Sequence, residues 1–310
     1  MNNNYSSNEY YLPRWITARL RQAIDENPVL VLTGARQVGK STLLRNEDPF
    51  REFRYLTMDD YDVMRQAEKD PAELWAGVQQ IILDEVQKTP QVLSAVKQTV
   101  DRTGGKVKFI LSGSANLLLM KQVSETLAGR AGYHILDPLT YGEVLKRPFP
   151  TRLEDLFEGR FPPEGNVEDA QLDLPRLVIR GFMPGLLRMN EPDSWVRWWD
   201  GYVRTYLERD LRQFSRVDGL ADFRRLMELL ALRSGQLLNQ SDLARDAGLT
   251  QPTAHRYFNL LESTHLFERV AAYSANRSSR IVKMPKVSWA DSGLATFLAG
   301  YFHPEQLVQA

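Results

Sequence analysis

The stretch GARQVGKS, Gly34–Ser41, constrains the fold of this chain more than any other feature of its sequence. It fits the pattern GxxxxGK[ST], in which glycines permit a tight turn and backbone N–H groups face a polyphosphate. The apolar run VLVLT, Val29–Thr33, comes directly before it and is typical of a buried parallel strand. A helix is predicted after it, from about Lys40 to Arg45, and would direct its positive dipole end at the same anion. This order predicts a P-loop nucleotide-binding fold.

The same loop predicts the ligands of the site. The Lys40 ammonium can reach the β- and γ-phosphates of ATP, and the Ser41 hydroxyl can bind Mg²⁺. We therefore expect ATP and Mg²⁺ as cofactors. The loop residues expected to contact the nucleotide are Gly34, Ala35, Arg36, Gln37, Val38, Gly39, Lys40, Ser41 and Thr42.

Two acids end the next strongly apolar segment, the run IILDE. Asp84 stands where a carboxylate could support Mg²⁺ together with Ser41, and Glu85 could accept a proton from an attacking water. Acids are also common at solvated strand ends, which is the alternative interpretation of this pair. The P-loop upstream favours a hydrolytic site, with Lys40 and Glu85 as catalytic residues and Ser41 and Asp84 as metal ligands.

A third apolar run, Val107–Leu111, ends in the polar sequence SGSAN. Side chains at this strand tip could sense the γ-phosphate or orient water, and Ser112 is the catalytic candidate. Ser114 is a second candidate, with Asn116 behind it. A simple Gly-Ser turn is the alternative.

Arg130 lies in a Gly-Arg-Ala-Gly bend before another apolar run. A loop arginine there could neutralise transition-state charge on the nucleotide of a neighbouring subunit. This role predicts a homo-oligomer in the ATP-bound state. An ordinary surface arginine is the alternative.

Apolar and helical segments alternate through the first half of the chain. The predicted strands are Val29–Thr33, Arg54–Met58, Gln80–Leu83, Val107–Leu111 and Tyr133–Leu136. The predicted helices between them are Lys40–Arg45, Asp62–Glu68, Pro90–Arg102 and Leu117–Leu127. This alternation predicts an α/β fold with a parallel five-stranded sheet and the nucleotide at the carboxyl ends of the strands.

The order of motifs resembles that of a family of prokaryotic AAA+ ATPases that carry an uncharacterised C-terminal domain. The motifs are GARQVGKST, LTMDD, IILDEVQK, FILSGSANLLL, ETLAGRAG and LDPLTYGE. The resemblance implies an AAA+ core, ATP binding and ATP hydrolysis. The segment YLPRW, Tyr11–Trp15, resembles the N-terminal signature of the family and would place Arg14 near the nucleotide base.

Two departures from that family concern the C-terminal half. The segment GFMPGLL, Gly181–Leu187, differs from the usual Gly-Gly-aromatic-Pro pattern. Asp291 and Gly293 resemble the opening of a restriction-endonuclease-like domain, but the chain ends at Ala310. We therefore expect no nuclease activity from this chain.

A helix-turn-helix is predicted between Asn239 and Ser263, with Gly248 closing its first helix and Thr250 capping its second. Strands at 266–273 and 280–287 would add a wing. The residues expected to contact duplex DNA are Gln251, Thr253, His255, Arg256, Arg277 and Arg280. The alternative is that this winged helix contacts a protein or packs on the ATPase, since its second helix carries only two basic groups.

The predicted domains are an AAA+ core at 1–148, a helical lid or linker at 149–216, a winged helix at 217–290 and the opening of a further domain at 291–310. Three tryptophans, Trp195, Trp198 and Trp199, are expected to anchor the lid rather than to stack on bases.

Composition narrows the remaining function classes. The chain has no cysteine and only four histidines, none at a metal-ligand spacing, which argues against disulfides and zinc sites. No apolar run approaches about 18 residues, so no membrane span is expected and the protein is predicted to be cytoplasmic. Residues 201–290 carry 14 basic and 9 acidic side chains, a weak indication of an anionic partner.

Three hypotheses remain open at this point. The first is an AAA+ ATPase whose winged helix passes the nucleotide state to DNA or to a protein. The second is an ATP-gated DNA-binding regulator with negligible turnover. The third, a small-molecule P-loop kinase, gives the winged helix no obvious task.

Overall fold

The computed structural model describes residues 11–114, 125–150, 152–160, 173–208, 219–273, 275–276 and 283–309. Three of the candidate site residues, Asn116, Arg277 and Arg280, lie outside these ranges.

A five-stranded parallel sheet forms the centre of the first half of the chain. Its strands are β1 (Val29–Thr33), β2 (Arg54–Thr57), β3 (Gln80–Asp84), β4 (Lys108–Ser112) and β5 (Ala131–Ile135), in the spatial order β2-β3-β4-β1-β5. The predicted sheet is thus confirmed, and β1 has the predicted bounds. Alternate side chains of β1 enter two separate apolar cores, which explains why the strand reads as a continuous apolar run.

Helices cover both faces of this sheet. They are α1 (Thr17–Glu26), α2 (Lys40–Asn46), α3 (Tyr61–Lys69), α4 (Val92–Thr103) and the short α5 (Tyr141–Val144). Buried residues of α1 and α2 belong to one core, and those of α3 and α4 belong to the other. Because all five strands are parallel, the loops that follow β1, β3 and β4 meet at the carboxyl ends of the strands.

The second half of the chain is mainly helical. Its elements are α6 (Arg152–Phe157), α7 (Leu174–Arg180), α8 (Pro192–Tyr202) with a π-helical continuation (Val203–Glu208), α9 (Leu220–Leu232), α10 (Gln240–Asp246), α11 (Gln251–Glu262), β6 (Phe267–Val270), β7 (Lys286–Trp289), α12 (Ser292–Leu298) and α13 (Pro304–Gln309). One continuous apolar core joins these elements, with the exception of α6, to the α1 and α2 face of the sheet. Trp195 and Trp199 are among its largest buried side chains, in agreement with the predicted anchoring role.

The predicted pair of helices occurs as α10 and α11. The Asn239 side chain accepts backbone N–H groups at the start of α10, and the Thr250 side chain does so for α11. Gly248 between them has a φ of +69°, as expected of a glycine that ends a helix.

The two strands that follow are shorter than the sequence predicts. β6 and β7 pair antiparallel, and Phe267 lies opposite Trp289 with their ring centroids 5.6 Å apart. Residues 283–285 were expected to be part of the second strand but are not, because Pro285 has no N–H to donate to a ladder.

The helix α12, which follows the boundary predicted at residue 291, packs on the helices that precede it, and that boundary stays a prediction. α12 packs against α7, and Leu294 and Leu298 are buried in the same core as the other helices of this half. The described ranges contain no helix that is long and apolar enough to cross a membrane.

Candidate functional site

Two glycines shape the loop between β1 and α2. Gly34 has a φ of +145°, and a Cβ at this position would lie 2.2 Å from the carbonyl oxygen of Leu136. Gly39 has a φ of +98°, and Gln37 is also left-handed at +62°. The loop therefore turns tightly, and α2 begins directly at Lys40, so that the free N–H groups of its first turn lie beside the loop.

The Lys40 side chain is buried beneath this loop. Its Nζ donates to the carbonyl oxygens of Gly34 at 3.1 Å and Ala35 at 2.8 Å. Burial lowers the pKa of Lys40 to about 8, although the nearby carboxyl groups of Glu85 and Asp84 act in the opposite direction. The ammonium is thus poorly solvated, and an added anion would stabilise its charged form.

The two predicted metal ligands are in contact. Ser41 Oγ donates a hydrogen bond to Asp84 Oδ2 at 2.6 Å. The other carboxylate oxygen, Asp84 Oδ1, is buried and has no hydrogen-bond partner among the described residues. A free carboxylate oxygen beside a hydroxyl suits Mg²⁺, which uses few protein ligands and fills its other positions with water and phosphate oxygens. The described ranges hold no cluster of three or more His, Cys, Asp or Glu side chains that could bind a metal.

Tyr55 is a further member of this group that the sequence did not indicate. Its hydroxyl donates to Asp84 Oδ2, the same oxygen that accepts from Ser41. Tyr55 comes from β2, which lies next to β3 with Thr57 opposite Asp84. Burial raises the pKa of Tyr55, and the Asp84 carboxylate raises it further, so the phenol remains a hydrogen-bond donor.

Glu85 follows in a left-handed conformation, with a φ of +55°, and lines the same cavity as Lys40. Burial raises the pKa of Glu85, and the negative charge of Asp84 adds to the effect. The side-chain amide of Gln87, which the sequence did not single out, donates to the Glu85 carboxylate and contacts Ser114 Oγ at 3.1 Å. A carboxylate with a raised pKa is suited to accept a proton near neutral pH.

The two candidate serines at the tip of β4 differ in their surroundings. Ser112, the catalytic candidate, is the last residue of the strand and is fully buried, and it does not line the cavity. Its Oγ has no hydrogen-bond partner within the described residues. Ser114, two residues later, lines the cavity.

Two cavities lie side by side at this edge of the sheet. The smaller, of about 280 Å³, is lined by Arg36, Gln37, Gly39, Lys40, Ser41, Thr42, Glu85, Ser114 and Pro184. The larger, of about 530 Å³, shares Gly39, Thr42 and Pro184 with it and also includes Tyr11, Leu12, Val38, Leu139 and Trp198. The smaller cavity is rich in groups that bind phosphate, and the larger has the apolar walls that a flat base requires.

Comparison with known proteins identifies the two halves of the chain. Residues 26–145 match the family model of an AAA domain. This part of the chain is therefore a P-loop AAA domain. Residues 171–305 match a domain of unknown function, DUF8612, which we call the C-terminal domain.

Curated relatives of this chain include uncharacterised proteins of Mycobacterium bovis and Mycobacterium tuberculosis. Each is 32% identical over 287 residues, which is 91% of this chain and 58% of the relative. The chain thus spans little more than half the length of these relatives. The Walker-type ATPase Paby2304 of Pyrococcus abyssi has a similar fold, with a TM-score of 0.56 at 17% identity, over 91% of this chain and 93% of that one.

Arg14 lies just before the AAA domain and packs directly against its loop. Its guanidinium donates to the carbonyl oxygens of Val38 at 2.9 Å, Asp137 at 2.6 Å and Pro138 at 3.2 Å, and its Nε lies 3.3 Å from a carboxylate oxygen of Glu143. The Nε atom is buried and makes no hydrogen bond to any described residue. Arg14 thus contacts the back of the loop and also lines the larger cavity, so its contact with the nucleotide base stays a prediction.

The C-terminal domain contributes to the walls of the AAA site. Pro184 lies close to the loop, since its Cγ is 3.8 Å from the position that a Cβ on Gly39 would occupy. The Tyr202 hydroxyl, at the end of α8, donates to the carbonyl oxygen of Arg36 at 3.1 Å. Trp198 lines the larger cavity, unlike the two neighbouring tryptophans, which belong to the core.

Arg130 lies at the amino ends of the parallel strands, whereas the loop lies at their carboxyl ends. It directly precedes β5, and its carbonyl oxygen accepts from the N–H of Val29 at the start of β1. Its guanidinium forms two hydrogen bonds to the carboxylate of Asp101, at 2.6 and 3.1 Å. Arg130 cannot reach the nucleotide site of its own subunit, so the predicted role requires a second copy of the chain.

The four described candidates for DNA contact lie on α11. Gln251, His255 and Arg256 are exposed, and Thr253 is half-buried. Several basic side chains nearby are paired with acids: Arg233 with Asp246, Arg245 with Asp242, and Arg269 with Glu262. Three arginines in this part of the described chain are thus paired, although the local excess of basic residues remains.

Proposed function

We propose that this AAA protein binds ATP with Mg²⁺ and hydrolyses it. The proposal rests most directly on one observation, the position of Glu85 in the same small cavity as Lys40 and Ser41, next to the unpaired carboxylate oxygen of Asp84. A site that only stored a nucleotide would need the loop but not the carboxylate beside it.

In this proposal each residue has one task. Lys40 and the loop N–H groups bind the phosphates, and Ser41 and Asp84 hold Mg²⁺, which neutralises phosphate charge when it is bound. Glu85 takes the proton of the attacking water, and its raised pKa suits that step. Gln87 orients the Glu85 carboxylate, and Ser114 contacts the same amide group.

We further propose that the ATP-bound state is a homo-oligomer in which Arg130 acts on the nucleotide of a neighbouring subunit. The separation of Arg130 from its own site supports an action in trans. A size measurement with and without ATP tests this step. A chain that stays monomeric with Mg²⁺·ATP at concentrations that support turnover contradicts it.

The C-terminal domain is proposed to respond to the nucleotide, because Pro184 and Trp198 form part of the cavity wall. Its α10–α11 pair and the β6–β7 hairpin follow the order of a winged helix, which supports contact with duplex DNA or with a protein. Because the arginines of this region are largely paired, a protein partner is the stronger of the two candidates.

Steady-state ATP turnover of the wild type, Lys40→Ala and Glu85→Gln tests the proposal. Glu73→Gln is a matched control, since Glu73 is exposed and precedes β3, at the end of the sheet opposite the nucleotide loop. We expect turnover to be lost in Lys40→Ala and Glu85→Gln and to be retained in Glu73→Gln. If the wild type turns over no faster than Lys40→Ala, the protein is an ATP-gated regulator rather than an ATPase.

Addition of duplex DNA distinguishes the partner classes. Binding to DNA that weakens steeply with salt and is lost in Arg256→Ala supports DNA contact through α11. If the protein does not bind duplex DNA, contact with DNA is refuted and a protein remains as the proposed partner.

A further inference from the structure

A carboxylate outside the nucleotide site, Asp291, is fully buried at the start of α12. Its Oδ1 accepts the backbone N–H groups of Gly293 at 2.8 Å and Leu294 at 3.3 Å, which caps the helix. Its Oδ2 accepts the backbone N–H of Phe182 at 2.8 Å, in the loop after α7. One carboxylate thus joins two segments that lie 109 residues apart in the sequence.

Two glycines allow these segments to approach each other closely. Gly181 has a φ of +78°, and a Cβ there would lie 2.1 Å from Asp291 Oδ1. A Cβ on Gly293 would lie 2.5 Å from the carbonyl oxygen of Arg180. Any larger residue at either position would separate α12 from the loop. The two backbone segments that the carboxylate joins are therefore packed tightly against each other.

The loop that Asp291 holds leads directly to the nucleotide cavity. The carbonyl oxygen of Phe182 accepts from the N–H of Leu139 at 3.1 Å, and Leu139 lines the larger cavity. Pro184 follows two residues later and lines both cavities. The position of this wall relative to Gly39 therefore depends on the backbone that Asp291 holds in place.

We propose that Asp291 is a positioning residue that holds the Gly181–Pro184 loop against the nucleotide cavity, so that the C-terminal domain sets the affinity of the AAA domain for nucleotide. This inference rests on the proposed binding of ATP. Coupling between two sites is reciprocal, so nucleotide binding in turn stabilises the start of α12.

The affinity for a fluorescent, non-hydrolysable ATP analogue with Mg²⁺ tests the inference in the wild type, Asp291→Asn and Asp173→Asn. Asp173 is the control because it caps the other end of α7 from an exposed position, accepting the N–H of Arg176 at 3.1 Å. We expect Asp291→Asn to raise the Kd roughly 5- to 150-fold, the usual range for coupled sites, and Asp173→Asn to leave it unchanged.

The two proposals fail in different ways. A wild type that does not bind the analogue refutes the proposed function, and this inference falls with it. A wild type that binds, with an Asp291→Asn variant of equal affinity, refutes this inference alone. An equal loss in Asp173→Asn also refutes it, because the effect then belongs to α7 in general.

Hydrogen exchange in the wild type provides a test that does not depend on whether Asp291→Asn folds. The Mg²⁺-bound analogue should slow exchange at the N–H groups of Phe182, Gly293 and Leu294, in addition to those of residues 34–42. Protection confined to residues 34–42 would contradict the coupling.

Discussion

Removal of the buried ion pair between Arg14 and Glu143 should destabilise the protein strongly. Their side chains are only 5% and 4% exposed, and the closest charged atoms are 3.3 Å apart. Glu143 also accepts the backbone N–H groups of Trp15 at 2.7 Å and Thr140 at 2.8 Å. The pair therefore fastens the segment before α1 to α5, behind the P-loop.

The expected magnitude follows from this burial. Loss of one partner of a buried pair leaves the other charge without compensation and costs about 3–5 kcal/mol. We expect a loss of this size for Arg14→Met. Glu143→Gln should cost less, because the amide oxygen can still accept one of the two N–H bonds. In the double variant the losses should not add, and the coupling energy should be roughly 1–3 kcal/mol.

Equilibrium unfolding in urea, followed by far-UV circular dichroism, measures all four free energies of this cycle. An exposed pair provides the control: Arg204 and Asp200 are 64% and 37% exposed, so Arg204→Met should cost no more than about 0.5 kcal/mol. Additive losses in the Arg14 and Glu143 cycle, or a loss for Arg14→Met as small as that of the control, would refute the reasoning.

Three further predictions concern the site and its support. Gly34→Ala should abolish binding of a fluorescent ATP analogue, because the added Cβ would lie 2.2 Å from the carbonyl oxygen of Leu136; an unchanged affinity would contradict this. Tyr55→Phe should lower the free energy of unfolding by about 1.5–3 kcal/mol, since the carboxylate of Asp84 loses a donor, and a loss below about 0.5 kcal/mol in urea unfolding would contradict it. Burial raises the pKa of Asp291 to about 6, so the folded protein binds a proton at this group more readily than the unfolded chain does. The free energy of unfolding of the wild type, relative to that of Asp291→Asn, should therefore fall by an amount on the order of 3 kcal/mol as the pH rises from about 4 to about 6. Parallel pH profiles of the two free energies would show that Asp291 does not cause the pH dependence.

The central strand could be predicted residue by residue from the sequence. Its first four residues are apolar because both faces of the strand are buried, and Gly34 ends it where the chain must turn. The helix caps at Asn239 and Thr250 were predictable for a similar reason, since short polar side chains bind the N–H groups of their own neighbours.

The side chains around Asp84 could be predicted only in part. Ser41 and Glu85 belong to local motifs, but Tyr55 reaches Asp84 because β2 pairs with β3, which the sequence RYLT does not reveal. Gln87 contacts Glu85 because the backbone of Glu85 is left-handed, and no pattern of residue types predicts that conformation.

The predicted end of the strand before Ser114 was misplaced by a single residue. The sequence predicts that the strand ends at Leu111, whereas β4 continues through Ser112. Ser112, the last residue of the strand, is fully buried, and Ser114, beyond the end of the strand, lines the cavity.

A single-turnover experiment tests the central proposal, hydrolysis of ATP at Glu85, most directly. The protein in excess is mixed with labelled ATP and Mg²⁺, and the bound nucleotide is analysed after an acid quench. We predict that the wild type and Glu73→Gln convert bound ATP to ADP and phosphate, whereas Glu85→Gln binds ATP with similar affinity and leaves it intact. Conversion by Glu85→Gln at the wild-type rate would contradict the account.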